Sequence, residues 1–242
     1  MTARALLVQH TATEGPGRLA EWLPAAGVEL DVVRPYAGDP LPAHLDADGG
    51  LVVMGGPMGA NDDDAALWLP HTRELLREAV AAGVPVLGIC LGAQLLAAAC
   101  GGQVERGAAG PELGVGEVRL RPAATADPLL AGLPPVLRAV QWHYDAVTEL
   151  PADAVWLAES AAYRHQAFRV GEWAWGVQFH VETSTAMVAG WARNDAAELS
   201  AARLDPAELL GGLAEAQAEL SATWGRVVGR WAALMPAAAS RR

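Results

Sequence analysis

Cysteine is scarce in this chain of 242 residues, which carries two, Cys90 and Cys100. Ten residues apart on one helix, they would lie about 15 Å from each other, far beyond disulfide reach, so the usage fits a reducing compartment and a reactive thiol. Basic residues are also in short supply: 17 Lys and Arg stand against 28 Asp and Glu, a net charge of −11. That balance disfavours nucleic acid and anionic membranes as partners and otherwise serves solubility. No uninterrupted apolar stretch has transmembrane length and no secretory signal is present, so a soluble, cytoplasmic protein is expected. An internal repeat, a low-complexity linker and a glycine-rich phosphate loop are likewise missing. The acidic run Asn61-Asp62-Asp63-Asp64 has no spaced ligand set beside it and reads as a solvated loop or helix cap; neither a metal nor a cofactor is expected.

What is present is apolar: 52% of the chain. That suffices for one well-buried α/β domain, or a domain with a helical appendage, but not for a second catalytic domain. A first strand is expected over 3–9, a helix over 15–26 ended by Gly27, and a second strand over 28–33, followed by loop over 35–48. A third apolar run, Leu51 to Met54, leads into Gly55, Gly56 and Pro57, and a helix over 68–82 precedes the next strand. Strand, helix, strand repetition implies a parallel sheet with right-handed crossovers.

The stretch Gly83 to Gly102 organises the rest. Val84, Val86, Leu87 and Ile89 suit a strand buried on both faces, and Leu91 to Ala99 are strong helix formers, so Cys90 sits at the bend between them. Small residues on either side, Gly88 and Gly92, permit a sharp turn that pushes the cysteine out of the sheet. The helix N-terminus favours a thiolate there and offers free N–H groups to an oxyanion. Gln94, one turn on, shares the Cys90 face. Taken alone, G-x-C-x-G fits a buried structural cysteine equally well.

A nucleophilic thiol needs a base. After Gly101-Gly102 the pattern turns to period two, over 114–120, 139–142, 155–159, 166–170 and 173–179, a mixed and partly antiparallel section expected to return His180 to Cys90. Glu182 follows His180 by two residues, on the same side of an extended chain, where it can fix the imidazole tautomer. Cys, His and an orienting carboxylate then form a triad. Active groups in open α/β sheets gather beyond the carboxyl ends of strands, so the Gly55-Gly56-Pro57 loop is expected beside Cys90, with Gly56 N–H and Leu91 N–H as candidate oxyanion donors.

These residues resemble the class I glutamine amidotransferase family. GICLGAQ is similar to its nucleophile motif, GVQFHVE to its His/Glu motif and VMGGP to its oxyanion loop, in the family's order, over residues 1 to 195. The resemblance implies a three-layer, flavodoxin-like α/β fold with a mostly parallel central sheet and flanking helices over 1–199; a C-terminal helical extension over 200–242, packed on that domain, is expected from the helical pattern of the residues there. It also implies hydrolysis of a side-chain amide, typically that of glutamine, through a γ-glutamyl thioester on Cys90 with His180 as base and Glu182 as orienting group. Gln141 to Asp145 resembles the family's substrate-binding segment, which makes Trp142 and His143 candidate substrate contacts beside Gln94, a candidate because it shares the Cys90 face. Trp142 stands where the family often has Ser, and a capped strand terminus explains the segment equally well. Val181 replaces a usual proline without removing a catalytic atom.

Beyond Thr183 the pattern is helical. Asp205, Pro206 and Glu208 form a capping box, and Leu209, Leu213, Leu220, Trp224, Val227, Trp231 and Leu234 make one apolar face ending near Leu234, with a frayed tail over 236–242. Its tryptophans fit packing on the domain; a homo-oligomer or partner surface is the other use. His10, His44 and His71 have no partner pattern and are expected at the surface. A glutaminase domain usually feeds a synthetase, and none is encoded here. Three readings follow: a glutaminase that serves a separate synthetase subunit; or else a free-standing γ-glutamyl amide or peptide hydrolase; or a non-catalytic binding or regulatory module.

Overall fold

The computed structural model describes residues 3–46 and 49–235. In chain order the elements are β1 (Ala3–Val8), α1 (Leu19–Ala25), β2 (Val28–Val33), β3 (Gly50–Val53), α2 (Leu69–Ala82), β4 (Val86–Ile89) and α3 (Leu91–Ala99). There follow β5 (Gln103–Arg106), β6 (Glu112–Leu120), β7 (Val136–His143), β8 (Asp145–Glu149), β9 (Ala154–Glu159), β10 (Ala167–Val170) and β11 (Ala174–Val177). Three helices, α4 (Thr185–Asn194), α5 (Ala196–Ala201) and α6 (Pro206–Ala232), complete the described chain.

The central sheet has the order β2-β1-β3-β4-β11-β10-β9-β6-β7. From β2 to β11 neighbouring strands run parallel; from β11 onward they alternate antiparallel. Every residue of β3, β4 and β11 is buried, which is why these strands are continuous apolar runs. Successive side chains feed opposite faces: Leu51 and Val53 join a core with α2 and α3, whereas Val52 joins the core under α1 and α4 to α6. The result is three layers, helix on sheet on helix.

The expected strands and helices form, with three differences. Helix α1 begins at Leu19 rather than at residue 15, because Gly17 takes φ +50° and Arg18 N–H donates to the Glu182 carbonyl at 2.8 Å. A long-range contact thus holds this segment in a turn. Strands β5 and β8, which no period-two pattern in the sequence marks, pair antiparallel as a small separate sheet. Pro35–Ala37 forms a single 3₁₀ turn within the expected loop. The tail over 236–242 lies outside the described residues.

Asp205 caps α6 by accepting from Ala207 N–H at 2.8 Å, with Pro206 in the first turn. Leu213, Leu220, Trp224, Val227 and Trp231 are buried in the same core as β6 and β7. Trp224 packs on Phe179 with ring centroids 4.7 Å apart and donates its indole N–H to the Arg138 carbonyl at 3.1 Å. In the acidic run, Asp62 accepts from Gly59 N–H at 2.7 Å and Asp63 pairs with Arg73 at 2.7 Å. Among the described residues no helix is long and apolar enough to cross a membrane.

Candidate active site

Strand β4 ends at Ile89, and Cys90 N–H donates across to the Val177 carbonyl at 2.8 Å. Cys90 then turns the chain at φ 52°, ψ −108°, a left-handed conformation that side-chain-bearing residues rarely adopt. Neither flanking glycine has a positive φ; both are needed for space. A Cβ on Gly88 would meet the Gly92 carbonyl oxygen at 2.5 Å, and one on Gly92 would collide with the Val53 carbonyl oxygen. The glycines therefore let α3 sit directly on β3 and β4, while the cysteine itself bears the strained backbone.

Strand β11 lies parallel to β4 with Val177 opposite Ile89, so the residues after Val177 emerge beside the Cys90 turn. Alternation continues past the strand end: Phe179 and Val181 enter the core, whereas Gln178, His180 and Glu182 are buried polar groups. His180 N–H donates to the Val140 carbonyl at 2.8 Å, which anchors this run to β7. The His180 ring has Nδ1 2.8 Å from Glu182 Oε1, and it meets the Trp191 ring in a tilted contact at 4.6 Å between centroids. His180 is 2% exposed and Glu182 is fully buried, so the contact between them is shielded from bulk solvent. Burial alone would lower the His180 pKa, but Glu182 and Cys90, by charge and by hydrogen bond, together hold it well above the ordinary value. The Cys90 sulfur lies 3.7 Å from Gln178 Nε2 and 3.8 Å from the Trp142 carbonyl oxygen.

The Gly55-Gly56 loop follows β3 and faces the same point. A Cβ on Gly55 would stand 3.1 Å from His180 Cε1 and 3.5 Å from Cys90 Cβ, which sets this loop against both residues. Gly56 lines, with Cys90, a cavity of about 560 Å³, and neither Gly56 N–H nor Leu91 N–H is committed to another acceptor among the described residues. Gln94 also lines the cavity; its amide donates to the Asp145 carbonyl at 3.1 Å and to Gln178 Oε1 at 3.2 Å. Trp142 lies on the cavity wall with its indole N–H on Asp195 at 2.7 Å. His143 is there too, but Nδ1 is 2.9 Å from the Asp145 carbonyl and Nε2 3.0 Å from Glu112, so neither ring nitrogen is free. Cys100 does not line the cavity and is half-buried, and burial pushes its thiol pKa up.

Three residues here are not among those the sequence points to. Gln178 continues the period-two row of His180 and Glu182, and that row is a signal the sequence does contain. Glu14, in the loop after β1, lines the cavity; burial, partly offset by His180, pushes its carboxyl up to about 7. His10, expected at the surface, is 1% exposed and accepts from Trp68 Nε1 at 2.9 Å, its pKa lowered to about 4 by burial. It lies under the Gly55-Gly56 loop: a Cβ on Gly56 would be 3.0 Å from His10 Cβ.

A cysteine at a strained strand-to-helix turn, with a buried histidine–carboxylate pair just past the end of the next parallel strand, defines an α/β protein with a candidate thiol-nucleophile centre. The model of the glutamine amidotransferase class-I family matches residues 18–190, and the chain belongs to that family. It is 32% identical over 205 residues to the glutamine amidotransferase-like protein YfeJ of Salmonella typhimurium, covering 83% of this chain and 84% of that one. It is 36% identical over 144 residues to a subunit of the glutamine-hydrolyzing GMP synthase of Halobacterium salinarum (59% of this chain, 70% of the other). Gamma-glutamyl peptidase 4 of Arabidopsis thaliana is 31% identical over 159 residues (64% of this chain, 62% of the other). Among solved structures, a glutamine amidotransferase from Thermotoga maritima superposes with TM-score 0.86 at 28% identity, over 96% of this chain and 99% of that one. One from Methylobacillus flagellatus gives 0.84 at 34%, over 96% and 94%.

Proposed function

We propose that this chain is a Cys-His-Glu amidase that hydrolyses the side-chain amide of glutamine and releases ammonia for a separate synthetase subunit. The observation that carries the reading is the convergence of Cys90, at its strained turn, with the His180–Glu182 pair across two adjacent parallel strands. Cys90 thiolate adds to the amide carbon, and Gly56 N–H and Leu91 N–H receive the oxyanion. His180 gives its proton to the nitrogen, the C–N bond breaks, and a γ-glutamyl thioester remains. Water, deprotonated by His180, then frees glutamate and the thiol. Gln178 donates to the sulfur, and Gln94 with the wall formed by Trp142 and His143 receives the rest of the substrate. The relatedness to a GMP synthase subunit of Halobacterium salinarum supports the synthetase partner.

The second reading is a free-standing hydrolase of γ-glutamyl amides. The relatedness to gamma-glutamyl peptidase 4 and a cavity of about 560 Å³, at home among small-molecule sites, favour it. One experiment separates the readings: turnover of the purified chain on glutamine and on γ-glutamyl amides, with and without a partner captured from the source cells. A glutaminase that works in a two-chain enzyme is expected to gain roughly a hundredfold when its partner aligns the oxyanion loop, the worth of one oxyanion donor. Brisk hydrolysis of γ-glutamyl amides alone supports the free-standing enzyme. Cys90→Ala is expected to abolish turnover with the fold intact, and wild-type activity in that variant overturns both readings.

A further inference from the structure

Four carboxylates, Glu14, Asp145, Asp195 and Glu198, line the cavity against one guanidinium, Arg106. Asp145 already pairs with Arg106 at 3.6 Å, and Asp195 takes the Trp142 indole N–H at 2.7 Å. Glu14 and Glu198 have no side-chain hydrogen bond or ion pair among the described residues. Arg106 is further occupied by the Tyr144 ring, 4.7 Å from its centroid. Tyr144 Oη is itself buried without a hydrogen-bond partner, and burial, joined by Asp195 and Glu198, pushes that hydroxyl up to about 12. The wall thus holds unpaired acceptors and no uncommitted cation among the described residues.

Their placement says which end of a substrate they meet. A Cβ on Gly55 would collide with Glu14 Oε2 while standing 3.1 Å from His180 Cε1. Glu14 thus stands near His180, the group that gives the leaving nitrogen its proton. A neutral leaving group would leave Glu14 partly desolvated and unpaired, which is costly; a cation would pair with it.

We propose that the site takes γ-glutamyl amides whose leaving amine carries a second, cationic centre, with Glu14 as the carboxylate that selects it. This rests on the reading of Cys90 and His180 as nucleophile and base, and it belongs with the free-standing hydrolase. In the step concerned the Sγ–C bond forms, the C–N bond breaks and the amine leaves with the His180 proton, its second ammonium unchanged. Water then cleaves the thioester.

The test compares two near-isosteric substrates, the γ-glutamyl amides of 1,4-diaminobutane and of pentylamine, on the full chain. The cationic amide is expected to have the higher kcat/KM by on the order of tenfold, the worth of one charge-assisted contact. Glu14→Gln is expected to remove most of that preference, and Glu198→Gln, on the exposed rim, a smaller part of it. Raising the pH through about 7 is expected to increase the preference in the wild type as Glu14 ionises among His180, Cys90, Glu182 and Asp195, and not in Glu14→Gln. A structural role for Glu14 would move both amides together. Equal kcat/KM for the two amides, or a preference that survives Glu14→Gln, overturns the inference. Labelling of Cys90 by a glutamine-derived diazoketone separates the failures: labelling with neither amide turned over sinks the inference alone, and no labelling sinks the reading beneath it.

Discussion

At Cys90 the backbone sits at φ 52°, a conformation that costs on the order of 1–3 kcal/mol and persists because β4, β11 and α3 determine it from every side. The same crowding seals His180 against Glu182, and this divides the roles in the proposed triad. With Glu182 proposed to orient the ring and His180 to carry the proton, Glu182→Gln is expected to retain more turnover than His180→Ala; steady-state rates of the two variants check it, and the reverse order removes the assignment. Glu14 makes a prediction in stability. Its native carboxyl holds a proton up to about pH 7, whereas in the unfolded chain it lets go in the ordinary carboxylate range, so stability falls with rising pH across that window. Glu14→Gln abolishes that fall. The variant's urea midpoint, measured against wild type, is therefore expected to gain between about pH 5 and about pH 7.5. A constant difference would mean that Glu14 is paired in the native state. His10 slopes the other way: lowered to about 4, it supports stability that is lost as pH drops below the ordinary histidine value.

At the scale of elements, two helical glycines test what glycine is for. Gly92 lies where α3 crosses β3, and an added methyl there meets the Val53 carbonyl oxygen. Gly92→Ala is expected to cost about 1–3 kcal/mol, the usual effect of overpacking, and to disturb the Cys90 turn. Gly211 sits in α6 with open space around it. Gly211→Ala is expected to stabilise by about 0.5–1 kcal/mol through helix propensity alone. Denaturant midpoints of the two variants should move in opposite directions, and a shared direction would contradict the packing described for α3.

For the whole molecule, α6 matters most. Its apolar stripe closes one face of the sheet, with Trp224 1% exposed and Trp231 fully buried. Trp224→Ala is expected to cost about 3–5 kcal/mol while leaving one cooperative unfolding transition, because the indole belongs to the core shared with β7 and β11. Two separate transitions, read by circular dichroism and tryptophan fluorescence, would mean that α6 unfolds independently. The acidic surplus, net −11, has a local counterpart in the cavity wall.

Much of this protein is written locally. The turn at Cys90 follows from a doubly buried apolar run meeting a helix-forming run, and the His180–Glu182 contact from the two-residue period of an extended chain. The α6 boundary near Asp205 follows from its cap and proline. Each depends on neighbours a few residues away, so the sequence alone determined it. Other features depend on sums over distant neighbours. Glu14 and His10 sit in the loop after β1, and nothing near them in sequence separates them from surface residues. The sheet order places that loop beside Gly55 and the Cys90 turn, and α2's approach covers His10 with Trp68. The start of α1 is likewise fixed from the far end of the domain, by the Glu182 carbonyl that accepts from Arg18 N–H. Desolvation and contact of this kind are set only once the layers close, and tertiary structure alone decided which polar groups the cavity would hold.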